Sequence, residues 1–429
     1  MSKKKTIKYG AIQPLTGGMY FGARNALGKP ADWVLSYPGL SDVKLDYNGA
    51  IASAGNEYGM LKWCKDHNEL PPYQLFNKAP FQSTDFNVDI IDDKVWSTTP
   101  VDYSDTDLVV SVPVCSGLSQ ATIAPQETKD TRNCNMLWNA EFTLSKIKPK
   151  IYIFENAPAL FSDTGSKVRD ELNALAAKYN YAIVYYKTDT KLHDNCQRRP
   201  RTFVLFIKDR DGKLGTPDFN YESKPCPASE FFDRIPKDAT QQVTVELSPN
   251  NKIFLDYVKH KFGDNYREKM DHNMIKTIVH DNLYEDARQF AKNSNYPKEA
   301  IDKFVKTMDH IEHKRSMGKN FYSMIANFST EELGLPAVIF RTIPTQLHFK
   351  EDRLFTIREL LHAMGMPHDY ELHGNIQHNY AKIGQNVPGR TAQWIVSEAV
   401  RIIENWDTIE RNNGDVLFVD NTKQKTYSK

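Results

Sequence analysis

The chain has 429 residues, of which 40% are hydrophobic and 25% charged, with a formal net charge of +1 at pH 7. That length exceeds one ordinary core and predicts a large domain with a smaller one beside it. The balanced charge neither supports nor excludes a nucleic-acid partner, because basic residues can still gather on one face.

No run of about 18 apolar residues occurs, which excludes an apolar membrane-spanning helix and predicts a soluble chain. The start is basic but is followed only by short apolar runs, so no signal peptide is expected. The five cysteines, Cys64, Cys115, Cys134, Cys196 and Cys226, are irregularly spaced and include no Cys-x-x-Cys pair. A structural metal site is therefore not expected, and free thiols in a reducing cytoplasm are the simpler reading.

In chain order, Tyr9 to Ile12 is a short apolar run ending at Gln13-Pro14, and Thr16-Gly17-Gly18 opens a helix-like stretch through Leu27. Trp33-Val34-Leu35 reads as the next strand, stopped by Pro38-Gly39. Glu57 to His67, apolar at Met60, Leu61 and Cys64, reads as a helix. Asp107 to Val112 is a buried strand ending at Pro113, and Lys150 to Glu155 is another. Val168, Leu172, Leu175, Ala176 and Tyr179 recur at helical spacing, followed by strands over Tyr181 to Tyr186 and Phe203 to Ile207. Strands alternating with helices predict an α/β fold whose mostly parallel sheet is covered on both faces. Ligands then sit at the carboxyl ends of the strands.

From about Asp209 the pattern changes to a turn-rich stretch, and residues 250 to 320 read as polar helices with a slight basic surplus. A solvated face and a phosphate-contacting surface are both open there. Arg390 to Trp406 is helical again, with Trp394, Ile395, Ala399, Ile402 and Ile403 apolar.

Three places along this pattern carry chemistry. Cys115 follows a buried strand in Val112-Pro113-Val114-Cys115-Ser116-Gly117, at an edge open to a ligand. A free thiol of pKa ~8.5 is only about 3% thiolate at pH 7, so a nearby cation would matter. Alone, such a cysteine reads equally as a packing residue. Glu155 ends the next strand, in Phe154-Glu155-Asn156-Ala157, where catalytic acids sit in open sheets and where a capping carboxylate would also sit. Gln197-Arg198-Arg199-Pro200-Arg201 precedes another strand. Pro200 keeps Arg199 extended, and alternation sends Arg199 and Arg201 to one side, as a clamp for an anion or as a solvated basic edge.

Their order gives them meaning. Pro113-Val-Cys115-Ser-Gly-Leu-Ser119 resembles the Pro-Pro-Cys-Gln-Gly-Phe-Ser signature of DNA cytosine-C5 methyltransferases. Glu155-Asn156-Ala157 is similar to their Glu-Asn-Val motif, and Gln197-x-Arg199-x-Arg201 to their Gln-x-Arg-x-Arg motif. Arg353 to Glu359 is similar to the family's Arg-x-Leu-Thr-x-Arg-Glu stretch, and Ile383-Gly384-Gln385-Asn386-Val387-Pro388 to the closing Ile-Gly-Asn-Ala-Val-Pro motif. The first block departs: where the family reads Leu-Phe-x-Gly-x-Gly-Gly, this chain has Ile12-Gln13-Pro14-Leu15-Thr16-Gly17-Gly18.

The resemblance implies a Rossmann-like S-adenosylmethionine-dependent domain with a smaller, helix-rich target-recognition domain. The divisions expected are 1–208 catalytic, 209–345 target recognition and 346–429 closing motifs. It implies a methyl group transferred from S-adenosylmethionine to C5 of a flipped cytosine in duplex DNA, leaving S-adenosylhomocysteine. Cys115 adds to C6, Glu155 hydrogen-bonds or protonates N3, and Arg201, with Arg199, orients the base. Pro113, Ser116, Gly117, Asn156 and Gln197 shape that site. Thr16, Gly17, Gly18, Pro113, Gln385, Asn386 and Val387 fall around the cofactor, with Glu57 for the ribose and Asp89 for the adenine amine. The polar stretch Ala124 to Asn133 is expected to close over the base. A monomeric, stand-alone bacterial or phage enzyme of the cytoplasm is implied, of the kind found in restriction-modification. Methylation of cytosine in tRNA, or a non-catalytic DNA-binding chain that keeps the fold, are the competing readings.

Overall fold

The computed structural model describes residues 6–36, 57–76, 88–89, 101–113, 118, 134–243, 246–267, 278, 281–318, 335–336, 347–373 and 376–423. In chain order the first half holds β1 (Tyr9–Ile12), α1 (Gly18–Leu27), β2 (Trp33–Ser36), α2 (Tyr58–Asp66), β3 (Tyr73–Phe76), β4 (Val88–Asp89), β5 (Leu108–Ser111), α3 (Cys134–Phe142), β6 (Ile151–Asn156), α4 (Ser166–Lys178) and β7 (Tyr181–Asp189). The remainder holds β8 (Gln197–Arg198), β9 (Pro200–Lys208), α5 (Ala228–Asp233), α6 (Pro249–Phe262), α7 (Tyr284–Lys292), α8 (Lys298–Ser316), β10 (Leu335–Pro336), α9 (Ile357–Ala363), α10 (Ile376–Gln385), α11 (Gly389–Glu404) and β11 (Val416–Asp420).

Nine of the described strands form one sheet in the order β11-β7-β9-β6-β5-β1-β2-β3-β4. All neighbours are parallel except β4, which runs against β3, and β9, which runs against both β6 and β7. The α/β fold expected from the alternating pattern is present. The antiparallel β9 has a simple origin. β6 and β7 are joined by the crossover helix α4, and the chain leaving β7 at Asp189 doubles back so that Pro200 pairs with Asp189. β9 thus fills the place between β6 and β7 and begins at the sheet edge where β6 ends.

Side chains alternate between two cores, as the pleat requires. Tyr9, Ala11, Val34, Val110, Ile151, Ile153 and Leu205 face one core, shared with α1, α2, α9 and α11. Ile12, Leu35, Val109, Tyr152, Phe154 and Phe206 face the other, covered by α3 and α4. On α4 the predicted stripe supplies Val168, Leu172 and Ala176. Each such apolar side chain fully withdrawn from water contributes about 1.5–3 kcal/mol. The two faces are therefore fixed in register, and with them the side chains projecting from the carboxyl edge.

The helices α6, α7 and α8 build a third core from Ile253, Phe254, Tyr257, Tyr284, Phe304, Met308 and Ile311, closed by Leu347 and Leu354. α6 starts at Ser248, whose hydroxyl accepts from Asn251 N at 3.3 Å, with Pro249 in the first turn, and stops at Gly263. Residues from the preceding turn-rich stretch, Phe219, Cys226, Ala228 and Phe231, pack instead into the first core of the sheet. Among the described residues no helix is long and apolar enough to cross a membrane. Cys64, Cys196 and Cys226 are buried free thiols.

Candidate active site

The parallel strands deliver their carboxyl ends to one edge, where Glu155 and the β1–α1 turn lie among the described residues. β1 ends at Ile12 and turns through Gln13, Pro14, Leu15, Thr16 and Gly17 into α1. Gln13 (φ 49°), Leu15 (φ 53°) and Gly17 (φ 107°) all take left-handed backbone angles. Leu15 thus keeps a conformation that suits the glycine it replaces, at some steric cost.

The closing motif packs directly on this turn. Gly18 N donates to Asn386 Oδ1 at 2.8 Å, so Asn386 satisfies one of the free amides at the start of α1. A Cβ on Gly18 would lie 1.8 Å from Val387 O, so only glycine fits. Thr16 Oγ1 donates to Lys382 O at 3.0 Å, and Tyr370 OH donates to Thr16 O at 2.8 Å. Sequence elements more than 350 residues apart are thereby joined around one loop.

Glu57 stands at the start of α2, buried, and accepts from Ser36 Oγ at 2.9 Å at the end of β2. Burial pushes its carboxyl up to about 7, against the pull of Ser36 and the Leu15 and Glu57 amides. Gln13 is also buried, and its Oε1 has no partner among the described residues. A buried amide oxygen and a buried carboxyl side by side at the ends of β1 and β2 suit a ligand rich in hydroxyl and amine donors. Gln385 is half-buried and Val387 fully buried beside them.

Two strands further along, Glu155 projects from the end of β6 and is 4% exposed. Arg201 Nε lies 2.5 Å from Glu155 Oε1. Burial raises the Glu155 carboxyl above the usual glutamate value, while the charges of Arg201 and Arg199 pull it down. Arg199 and Arg201 share a side, as alternation predicts, but they are engaged differently. Arg199 Nη2 donates to Gly384 O at 2.8 Å and Asn386 O at 2.9 Å, bracing the closing motif. Gln197 lies on β8, which pairs with β10, and its Nε2 donates to Ala363 O at 3.2 Å. Asn156 Oδ1 accepts from Ala157 N at 2.9 Å, while its Nδ2 is buried without a partner among the described residues.

Pro113 is buried just beyond β5, the strand next to β6. Cys115, Ser116, Gly117, the stretch 124–133 and the side chain of Asp89 lie outside the described residues; the backbone of Asp89 pairs with Leu75 at the sheet edge.

Several residues support the site from behind: Asn195, which the sequence reading did not single out, and the Arg353 to Glu359 motif, whose contacts it did not foresee. Asn195 Nδ2 donates to Ala363 O, and its Oδ1 accepts from Gln197 N. Arg358, wholly buried, donates to Thr240 O, Pro367 O and Tyr370 O. Thr356 and Glu359 form a capping box on α9, and Arg353 holds Glu359 through two bonds of 2.8 and 2.9 Å. The motif and its Thr-x-x-Glu spacing were the available signal for the Arg353, Thr356, Arg358 and Glu359 group; Asn195 left none.

A model of the family described as C-5 cytosine-specific DNA methylase matches residues 73–401. The Type II methyltransferase M.Sau96I of Staphylococcus aureus is 24% identical over 276 residues, 62% of this chain and 54% of that protein. The chain thus spans about half the length of this relative. Among solved structures, a putative DNA modification methyltransferase encoded within an E. coli prophage is 16% identical with a TM-score of 0.48, covering 93% of this chain and 99% of that one. The Spodoptera frugiperda DNMT2 mutant is 14% identical with a TM-score of 0.46, covering 92% and 99%. Entamoeba histolytica methyltransferase EhMeth is 11% identical with a TM-score of 0.49, covering 95% and 100%. The family match runs from β3 to within α11 and takes in Glu155, Gln197, Arg199, Arg201 and the closing motif; this chain belongs to the C-5 cytosine-specific DNA methylase family.

Proposed function

We propose that this chain transfers a methyl group from S-adenosylmethionine to C5 of a cytosine flipped out of duplex DNA, through a covalent bond between Cys115 and C6. The observation that carries the reading is the buried Glu155–Arg201 pair at the end of β6, beside the strand that leads to Cys115. An acid there can reach one side of a flipped base while a thiolate reaches the other.

C5 of cytosine is a weak nucleophile until a group adds at C6. Cys115 supplies that group. Glu155 hydrogen-bonds or protonates N3, so that the ring can take up the C5–C6 π pair displaced as the C–S bond forms. Its burial favours the protonated form needed for this. Acid catalysis of this kind contributes about 10²- to 10⁴-fold. Arg201 fixes the carboxyl and the base edge. Arg199 keeps the closing motif against the site. Once C5 carries the methyl group, a base removes the C5 proton, that electron pair re-forms the C5–C6 double bond, Cys115 leaves as thiolate, and N3 returns any proton to Glu155. Extruding the base costs a few kcal/mol of pairing and stacking.

Glu57 and Gln13 are proposed to meet the hydroxyl and amine donors of an adenosyl amino acid, with Thr16, Gly17, Gly18, Pro113, Gln385, Asn386 and Val387 as the proposed surround and Asp89 for the adenine amine. When bound, S-adenosylmethionine supplies an electrophilic methyl on its sulfonium. The helices of the third core, within the 209–345 segment, are the proposed reader of the DNA sequence. The enzyme is proposed to act as a monomer in the cytoplasm of a bacterial cell or phage-infected host.

The test is transfer of labelled methyl from S-adenosylmethionine to duplex DNA and, separately, to tRNA, with mass analysis of the nucleosides. 5-Methylcytosine in DNA is expected. Label in tRNA alone would overturn the DNA reading. No transfer to either, with DNA binding intact, would leave a binding protein that keeps the fold.

A further inference from the structure

Thr188, near the end of β7, is the register partner of Arg201 on β9. Tyr186, Phe203 and Ile153 face the first core, so alternation puts Thr188, Arg201 and Glu155 on that same face. Opposed residues of an antiparallel pair stand about 4.5–5.5 Å apart at Cβ. Thr188 thus flanks Arg201 on the side away from Glu155, which lies across β9 on β6. Thr188 is wholly buried. Its hydroxyl accepts from Asn421 Nδ2, just past β11, at 3.0 Å and lies 2.6 Å from His193 Nε2. His193 Nδ1 in turn lies 2.8 Å from Glu222 Oε2. Asn421 Nδ2 also donates to Glu222 O at 3.0 Å, which fixes the end of the amide that faces Thr188. Since Asn421 donates to the hydroxyl, the hydroxyl proton points to His193 Nε2, and the Nδ1 proton to the Glu222 carboxylate.

A hydroxyl, an imidazole and a carboxylate in this order activate a nucleophile where a substrate can reach it. Thr188 is withdrawn from water and His193 is buried against Trp394 of α11, ring centroids 5.4 Å apart, so this relay holds and does not react. It ties together three stretches far apart in the chain: the loop from β7 to β8, the turn-rich stretch at Glu222 and the end of β11. The same loop is closed on Arg199, whose N donates to Asp189 Oδ1 at 3.0 Å and whose O accepts from Thr190 Oγ1 at 3.1 Å. β11 is itself fixed to β7 by Lys187 Nζ and Asp420 Oδ2 at 3.3 Å. We infer that His193 is a positioning residue of the base site: it pins Thr188, and Thr188 keeps Arg201 turned onto Glu155. With its hydroxyl held, Thr188 cannot exchange its methyl and hydroxyl beside Arg201. Asn421 locks the same wall from the last strand. The inference rests on the Glu155–Arg201 reading above.

The test measures single-turnover methyl transfer to duplex DNA across pH, beside S-adenosylhomocysteine binding and thermal unfolding. Thr188→Val keeps the shape and removes the hydroxyl, His193→Phe keeps a ring and removes both nitrogens, and Asn421→Ala removes the amide. Each should slow transfer about 10-fold or more. Each should also move the fall in rate to higher pH, because Arg201 is the larger of the two charges that lower the Glu155 carboxyl. S-adenosylhomocysteine binding should not change. Thr188→Ser, which keeps the hydroxyl, should recover most of the rate and the wild-type pH position. An unchanged rate and pH position in the folded variants, even with a lower melting temperature, would overturn the assignment and leave the relay a support of the fold alone. Equal loss of rate and of S-adenosylhomocysteine binding would overturn it too. If Thr188→Val or His193→Phe does not fold, Asn421→Ala decides between these outcomes. A wild-type chain that makes no 5-methylcytosine would instead remove the base-site reading, and this assignment with it.

Discussion

Arg201 and Glu155 meet across the antiparallel β6–β9 pair, Nε to Oε1 at 2.5 Å, on the strand edge where Phe203 pairs with Glu155. The pair puts opposed influences on one carboxyl. Burial raises its proton affinity and the guanidinium lowers it. Glu155→Gln is expected to lower the transfer rate about 10²- to 10⁴-fold while leaving S-adenosylhomocysteine binding intact. If the neutral acid is the active form, the rate falls as pH rises through the Glu155 value. Arg201→Gln removes the larger of the two lowering charges, so that fall should move to higher pH. A pH–rate profile checks it; a fall at the same or lower pH in Arg201→Gln contradicts the acid role.

Arg199 is predicted to act differently from Arg201 although the charges of both bear on Glu155. Its guanidinium satisfies the Gly384 and Asn386 carbonyls. Arg199→Met should leave those carbonyls unpaired, at about 1–3 kcal/mol of stability. Arg201→Met should cost less stability and more rate. Denaturant unfolding beside single-turnover kinetics separates the two.

Glu57 carries a pH signature. Its folded carboxyl is raised to about 7 from an ordinary 4.5. A raised carboxyl contributes stability that is fully present below the unfolded value and is lost as pH rises through the folded one. Unliganded protein should therefore lose stability between about pH 4.5 and 7, and Glu57→Gln should flatten that slope. A ligand hydroxyl donating to Glu57 favours the ionised form, so S-adenosylhomocysteine binding should tighten as pH rises through about 7, with proton release. Unchanged slopes in Glu57→Gln would remove Glu57 from both roles.

The contact between Gly18 and the closing motif leaves no room for a methyl group. Gly18→Ala places a Cβ 1.8 Å from Val387 O and 2.8 Å from Asn386 Oδ1. Since Val387 O is a backbone atom, the motif must move. Overpacking of this kind costs about 1–3 kcal/mol or more. Thermal unfolding should register it, together with weakened S-adenosylhomocysteine binding. Asn386→Ala, which removes the bonds to Gly18 N and Met366 Sδ but adds no bulk, should cost about 1 kcal/mol.

Much of this arrangement is visible in the chain itself. Apolar runs such as Leu108–Ser111 and Ile151–Asn156 mark buried strands, and a carboxylate closing such a run falls on the ligand edge. The direction of β9 is not visible, because Phe203 to Ile207 reads the same for either orientation. It follows from where the chain after Asp189 can turn back. β11 was not read because its four apolar residues Val416 to Val419 show no alternation in the sequence, although in the fold exposed Val416 and Phe418 alternate with Leu417 and buried Val419. Alternation correctly placed Arg199 and Arg201 on one side. It could not tell that Arg199 is occupied by carbonyls nearly 190 residues away. Asn386 likewise reads as a motif residue, while its bond to Gly18 N depends on a contact between the two ends of the chain.

The most direct test of the central claim is covalent capture on duplex DNA containing 5-fluorocytosine, in the presence of S-adenosylmethionine. The account predicts a protein–DNA species stable to denaturation, absent in Cys115→Ser, with DNA binding retained by that variant. A wild-type chain that methylates cytosine yet forms no such species, or a Cys115→Ser variant that still forms it, would contradict the account.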